Sequence, residues 1–465
     1  MKRYVIIGNG IAGISAAETI RSLDRTGKII VVAAEPYPLY SRPGIAYYLL
    51  GRVSEERLFC RPADYYAGKQ IEQVFVPAQK IDWMQKQVIL DNGVKLSYDK
   101  LLIATGAKNN WPEIKGTQLQ GVVSLSTLDD AKRIKQLLPL AQSAVVVGGG
   151  ITAVELVEVF NHHGLETYYL LRGQRFWHRL LTRPESELVE ERMQAHGIHV
   201  QYGLEISEII GEQGRVVGVK TNTEQFIRCQ MVAIAIGVSP NIDLVDDTIL
   251  ACDRGILVNE RMETCLPDIY AAGDVAQVYD PTMRRATLDL LWPSAIKEGR
   301  AAGVNMTGRV MPYKKGGAFN SALLIDVPFT SVGHISPPDS SRPDDTEQIS
   351  LTRGSSESWL FPQPARQNDK SLNSHQPGGN EYLRLVMRGV HLIGAVVLGN
   401  HTTADAVRDL ITRQINISPI KESLLFSKSQ AAGSLLVDYW RANKQGGVQV
   451  PANRNGHPVN GKGGD

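Results

Sequence analysis

Short apolar runs alternate with amphipathic stretches along most of the chain. Residues 4–7 read as a strand and 11–23 as a helix with apolar positions at helical spacing. Residues 28–34 read as the next strand, so the chain opens with a βαβ unit. Strand-like runs follow at 73–76, 88–90 and 101–105. A second βαβ unit starts at Ser143, with a helix over 153–161 and a strand at 167–171. Further strands are expected at 198–202, 216–221 and 231–236. Residues 269–274 pass from strand into turn, and 295–305 read as helix. After about Met311 the texture changes to β runs at 322–324, 329–332, 382–387 and 391–398, with helices at 403–412 and 419–425. Residues 336–380, rich in Ser, Pro, Asp, Gln and Asn, interrupt these runs and are expected to be a mobile insertion. The Gly/Asn/Lys-rich end, from Gly446, is expected to be disordered.

Each βαβ unit carries a glycine-rich turn between strand and helix. The first is Gly8-Asn9-Gly10-Ile11-Ala12-Gly13 and the second Gly148-Gly149-Gly150-Ile151-Thr152-Ala153. In the first, Gly8 permits the tight turn, Gly10 lets backbone approach a pyrophosphate, and Gly13 lets helix pack on strand. The helix N-terminus offers free N–H groups and partial positive charge to phosphates. Glu35 closes the second strand, where a carboxylate can bond ribose hydroxyls. The second turn has Ala153 for its third glycine, and its following strand ends in Leu171-Arg172 instead of an acid. Arg175, His178 and Arg179 come next. A carboxylate there would repel a 2′-phosphate, whereas guanidinium groups offer it paired donors, so NADPH is expected over NADH. The competing reading is that these arginines are solvated surface charges. One such turn is a weak signal. Two, each in strand–turn–helix context, imply two dinucleotides and hence electron transfer between them.

Composition narrows the class. The 50 Lys and Arg nearly cancel the 48 Asp and Glu, which argues against a general nucleic-acid or membrane-surface role. No apolar run is long enough to span a bilayer. Met1-Lys2-Arg3 leads straight into a core strand with no signal-peptide apolar region or cleavage site behind it, so the cytoplasm is expected. Cys60, Cys229, Cys252 and Cys265 are widely spaced and form no metal-ligand or redox pair. His162 and His163 are adjacent on a helix and diverge around it, so no metal site is expected.

The order of motifs resembles the two-dinucleotide FAD and NAD(P) oxidoreductases, the superfamily of glutathione reductase. The matching pieces are Gly8–Gly13 with Glu35, Ala104-Thr105-Gly106, Gly148 to Glu155, Ala235-Ile236-Gly237 with Pro240, and Ala271-Ala272-Gly273-Asp274. The resemblance implies an α/β fold with two Rossmann-like dinucleotide-binding domains, the NAD(P) domain inserted in the FAD domain, plus a C-terminal α+β domain. Its divisions would be 1–112 with 238–310 for FAD, 113–237 for NAD(P)H, 311–436 for the interface domain with its insertion 336–380, and 437–465 as tail. Asp274 would bind a ribityl hydroxyl, and the Val275 backbone would face the flavin edge. Asp274 could instead be a turn or N-cap aspartate. Glu155 resembles the family glutamate near the nicotinamide, or is a first-turn acid favoured by the helix dipole.

Tyr40-Ser41-Arg42-Pro43-Gly44-Ile45 resembles a segment of the ferredoxin reductase, rubredoxin reductase and nitrite reductase flavoprotein branch, and places Arg42 at the FAD pyrophosphate. Trp292, with Ala295 and Gly299 beyond, resembles the segment beside the flavin, although a core tryptophan would read the same way. Two departures matter. There is no redox CxxxxC, and Cys60 does not match the motif position, so flavin alone is expected to carry the electrons. Tyr47 stands where many of the branch carry a lysine beside the flavin. The resemblance therefore implies an FAD-dependent NAD(P)H oxidoreductase that passes hydride from nicotinamide to flavin. Electrons would then leave to a carrier protein or redox enzyme of the rubredoxin, ferredoxin or nitrite reductase type, and a homodimer is implied by the C-terminal domain. Two alternatives stay open: an NAD(P)H oxidase that reduces oxygen, and a low-turnover flavin-binding redox-sensing or assembly subunit.

Overall fold

The computed structural model describes residues 1–178, 180–245, 249–281, 284–335, 346–352, 382–399, 402–425, 427 and 429–444. Two compact units divide the chain, Met1–Val327 and Pro328–Asp465.

The first unit holds two five-stranded sheets. In one, the order is Ile269–Ala271, Lys100–Ile103, Arg3–Ile7, Lys28–Val32, Ile71–Val74, and every pairing is parallel. In the other, the order is His199–Tyr202, Glu166–Leu171, Ser143–Val147, Met231–Ile234, Val122–Val123, again all parallel. Parallel strands are buried on both faces, which is why they read as continuous apolar runs. Tyr4, Val5, Ile6 and Leu101 to Ile103 in the first sheet, and Ala144 to Val146 with Val232 in the second, are almost fully buried.

In each sheet the first βαβ strand sits where the order reverses. Arg3–Ile7 has its own βαβ partner, Lys28–Val32, on one side and Lys100–Ile103 on the other. Ser143–Val147 likewise lies between Glu166–Leu171 and Met231–Ile234. Both glycine turns leave from these switch points, where open α/β sheets present their binding crevices. The chain leaves the first sheet and returns to it through a two-stranded antiparallel ribbon, Ala107–Asn109 with Val238–Pro240. This allows strand Ile269–Ala271 to rejoin a sheet begun by Arg3–Ile7.

Helix Ile11–Leu23 packs on helix Trp292–Met306 at backbone distance. A Cβ at Gly299 would fall 2.1 Å from the Ala12 carbonyl oxygen, and one at Gly303 would fall 2.7 Å from that of Ala16. Three smaller sheets of three strands complete this unit. Two helices escaped the sequence reading, Leu128–Leu137 and Arg183–Ala195. Both open with reciprocal caps. Thr127 accepts the Asp130 N–H at 3.1 Å while the Asp130 carboxylate accepts that of Thr127 at 3.0 Å, and Glu185 accepts the Thr182 N–H at 2.7 Å.

The second unit builds an antiparallel sheet in the order Val327–Gly333, His391–Leu398, Tyr382–Arg388, Thr346–Thr352. Helices Ala404–Thr412, Ser418–Leu425 and Ser429–Lys444 follow it. Three expectations change. The compact boundary lies at 327/328 and not at 311. Residues 346–352, expected within the mobile insertion, form an edge strand paired along its length with 382–388. The tail expected from 437 starts inside helix Ser429–Lys444, where Leu436 and Tyr439 turn apolar surface inward. The rest of the expected insertion, and the tail beyond Lys444, lie outside the described residues. Among the described residues no helix is long and apolar enough to cross a membrane.

The helix–helix contact sets a stability test. Gly299→Val should destabilise the chain by about 3 kcal/mol, since the side chain has only backbone to displace. Gly316→Ala, where nothing lies within 4 Å, should change stability by less than about 0.5 kcal/mol. Urea unfolding measures both, and equal effects would contradict the close packing.

Candidate active site

The first cradle is defined by what its glycines exclude. Gly8 has φ +115°, and a Cβ there would sit 2.0 Å from the Ala104 carbonyl oxygen at the end of the neighbouring strand. A Cβ at Gly13 would sit 2.0 Å from the Gly8 oxygen. Gly10 is the opposite case, with nothing within 4 Å of its Cβ position. It is the N-cap of helix Ile11–Leu23 and supplies no side-chain cap. The first-turn N–H groups therefore border free space walled by backbone, which suits an anion. Gly273, at φ +80°, approaches the same turn: its Cβ would fall 2.9 Å from that of Ala12. This close approach brings Asp274 beside the Gly8–Gly13 turn.

Glu35, Arg42 and Asp274 line one electrostatic path. The Glu35 carboxylate accepts the Tyr40 hydroxyl at 2.6 Å and is paired with Arg42, which also donates to the Ser126 carbonyl. Pro43 lies in the short 3₁₀ turn Arg42–Gly44, whose geometry its fixed φ suits. Burial pushes the Asp274 carboxyl up to about 6 against the pull of Arg42, and Asp289 adds to the rise. Arg42 thus carries its positive charge between two acids. Val275 is fully buried, and its carbonyl accepts the Ile256 N–H at 2.8 Å.

The second cradle repeats the first. Gly148 has φ +139°, and a Cβ there would meet the Ala235 carbonyl oxygen at 1.9 Å. Gly150 caps helix Ile151–His162 without a side-chain cap and has nothing within 4 Å. Ile151 and Thr152 form the first helical positions, and Ala153 is fully buried. Ala104-Thr105-Gly106 and Ala235-Ile236-Gly237 are therefore equivalent strand ends. Ala104 N–H donates to Ile7 O and Ala235 N–H to Val147 O, each at 2.8 Å. Gly106 and Gly237 both take positive φ, at +71° and +99°. Thr105 Oγ1 donates to Asn241 O at 2.6 Å and so ties one crossing strand to the other.

Glu155 lies one turn into helix Ile151–His162, past the first turn where the dipole alone would explain it. Burial, with Glu158 next in weight, pushes its carboxyl up to about 7. The same helix is fastened to the segment around Tyr47. Arg52 is paired with Glu158 at 2.9 Å, and His163 Nε2 is 2.8 Å from Leu49 O. Tyr47 itself, in helix Ile45–Leu49, is 38% exposed. Trp292 is half-buried as the first residue of its helix and packs on the core of the first sheet.

The arginine cluster expected at the second site does not assemble as one. Arg172 is 74% exposed at the strand end, 4.0 Å from Glu205. Arg175 turns inward, donating to Leu181 O, to Ser186 Oγ at 3.0 Å and to His178 O at 3.0 Å. Its guanidinium is used in holding its own loop, which removes it as a phosphate ligand. Arg179 lies outside the described residues. Sequence reasoning also missed Glu298, Asp289 and Tyr313 beside Asp274. The available signal was a charged residue, Glu298, directly before Gly299 on the face of a helix that must pack closely.

The family described as pyridine nucleotide-disulphide oxidoreductase matches residues 2–299. The chain belongs to that family. Rhodocoxin reductase of Rhodococcus erythropolis is 32% identical over 314 residues, 67% of this chain and 73% of that protein. The NADH oxidase of Methanocaldococcus jannaschii is 30% identical over 319 residues, 66% of this chain and 70% of that protein. The crystal structure of a ferredoxin reductase from Rhodopseudomonas palustris superposes with a TM-score of 0.79 at 24% identity, covering 93% of this chain and all of that one. This oxidoreductase works with FAD and a nicotinamide dinucleotide, and both cradles fit such ligands by the steric tests above. A thiol relay is not supported: burial pushes the Cys60 thiol up, the reverse of what a reactive thiolate needs.

A cradle of this kind separates folding from binding. Gly10→Val should leave thermal stability of the ligand-free protein within a few degrees, because the backbone there is extended and the Cβ meets nothing. It should also abolish FAD retention, read as loss of the yellow absorbance. A yellow Gly10→Val protein would contradict the placement.

Proposed function

We propose that FAD occupies the Gly8–Gly13 cradle with Glu35, Arg42 and Asp274 along its length, and that NAD(P)H occupies the Gly148–Ala153 cradle. The observation that carries this reading is the repeated pattern of one glycine closed by a strand-end carbonyl and another open at an uncapped helix N-terminus. With both ligands bound, nicotinamide supplies a hydride and flavin takes it and releases electrons onward. The chain's own groups bind and orient: Arg42 and the helix N-termini neutralise phosphates, and Asp274 accepts a hydroxyl. Glu155, Tyr47 and Trp292 are the flavin-side groups, and Gly106, Gly237 and Val275 present backbone.

The acceptor is an electron-carrier protein or redox enzyme. The named activity of rhodocoxin reductase supports this. The compartment fitting that role is the cytoplasm. The M. jannaschii NADH oxidase keeps direct oxygen reduction as the second reading. NADPH is the preferred donor. Arg172 follows the strand end exposed, and Leu171 puts no carboxylate at that end to repel a 2′-phosphate, while Arg172 faces the nearby Glu205 carboxylate at 4.0 Å.

Anaerobic stopped-flow mixing tests the whole. Flavin absorbance should bleach on mixing with NADPH within seconds, and reoxidation should be fast with a carrier protein and slow with air alone. Rapid reoxidation by air would favour the oxidase, and no bleaching would reject the reductase. Arg172→Glu should raise the KM for NADPH by about tenfold or more and change that for NADH by less than about threefold. Equal effects would defeat the donor assignment.

A further inference from the structure

Glu298 is one of the most deeply buried acids of the first unit, 1% exposed on the inner face of helix Trp292–Met306. Its Oε2 accepts the N–H of Gly273 at 2.9 Å, immediately before Asp274. Two acids face it, Asp289 and Asp274, and one cation, Lys315. Asp289 is itself buried and accepts the Ser294 hydroxyl at 2.5 Å. Lys315 is held beside the group by donating to Thr287 O at 2.9 Å. The Tyr313 hydroxyl faces Glu298, Asp289 and Ser294, and burial with the two acids keeps it neutral. Arg42 reaches the cluster only through Asp274.

Carboxyls packed this closely raise one another's affinity for protons. Burial pushes Glu298 up to about 8, with Asp289 and Asp274 adding to the rise while the Gly273 N–H and Lys315 oppose it.

We infer that Glu298 is a positioning residue for the cofactor: from the inner face of its helix it anchors the Gly273 N–H and so aims Asp274 along the Gly8–Gly13 cradle. The inference rests on the reading that this cradle holds FAD. The folded state keeps a proton that the unfolded chain releases near the ordinary value of 4.5, so the contribution of Glu298 to folding stability falls as pH rises from there and is lost above about 8.

The test compares wild type, Glu298→Gln and Glu298→Ala for FAD affinity, by flavin fluorescence on reconstituting the apoprotein, and for melting temperature, both between pH 6 and 9. Glu298→Gln keeps the acceptor oxygen and cannot ionise. It should match wild-type FAD affinity within about twofold at each pH, melting above wild type only at the alkaline end. Glu298→Ala should bind about tenfold more weakly at both pH values. If it fails to fold, Glu298→Leu, which fills the space without an acceptor oxygen, takes its place. Alanine affinity equal to wild type, or a glutamine variant that binds as weakly as alanine, overturns the inference while leaving the FAD site standing. A wild-type chain that never takes FAD overturns the site reading and this inference with it.

Discussion

A strand-end carbonyl pressed against a glycine Cα is the contact on which both binding sites depend. Ala104 O closes on Gly8 and Ala235 O on Gly148, each at a distance no Cβ could share. The contact draws the returning strand's end up to the turn and thereby fixes the helix start that follows it. It also explains why the second glycine of each turn differs from the first. Gly8 and Gly148 are forced by sterics and positive φ, whereas Gly10 and Gly150 have empty space before them. The first kind of glycine serves the fold, and the second leaves room for a ligand.

The same economy of space governs the helix pair above the first sheet. Gly299 and Gly303 let helix Trp292–Met306 lie on helix Ile11–Leu23 at backbone contact, which brings Gly273 and Asp274 to the cradle. A segment more than two hundred residues away in sequence thus becomes part of the first site. The ribbon Ala107–Asn109 with Val238–Pro240 makes that return possible, since it sends the chain out to the second sheet and receives it back beside its point of departure. Acids brought into such close quarters lose water. Asp274, Glu155 and Glu298 are all pushed upward by burial, so both cradles are bordered by carboxyls that titrate nearer neutrality than exposed ones do.

Much of this was legible along the chain. Parallel strands buried on both faces announce themselves as apolar runs, and the glycine turns stand at fixed offsets from them. Long-range consequences were less legible. Arg175 looked like part of a cationic cluster because sequence places it near Arg172, but its guanidinium reaches Leu181, Ser186 and His178 within its own loop. Strand Thr346–Thr352 was hidden in a polar stretch because its partner, Tyr382–Arg388, lies beyond it. Helices Leu128–Leu137 and Arg183–Ala195 are rich in charged residues, so no apolar run marked them, although Thr127 to Asp130 and Thr182 to Glu185 spell capping boxes. Glu298 acquires meaning only from Gly273, Asp289 and Tyr313, which no local pattern connects.

On the proposed reading, one chain builds two cradles of like geometry that take different dinucleotides. Equilibrium dialysis of the FAD-loaded protein against NADP⁺, with both ligands quantified per chain, tests it most directly. The account predicts one FAD and one NADP⁺ on each chain at saturation, with neither displacing the other. Two FAD per chain, or FAD released in step with NADP⁺ uptake, would contradict it.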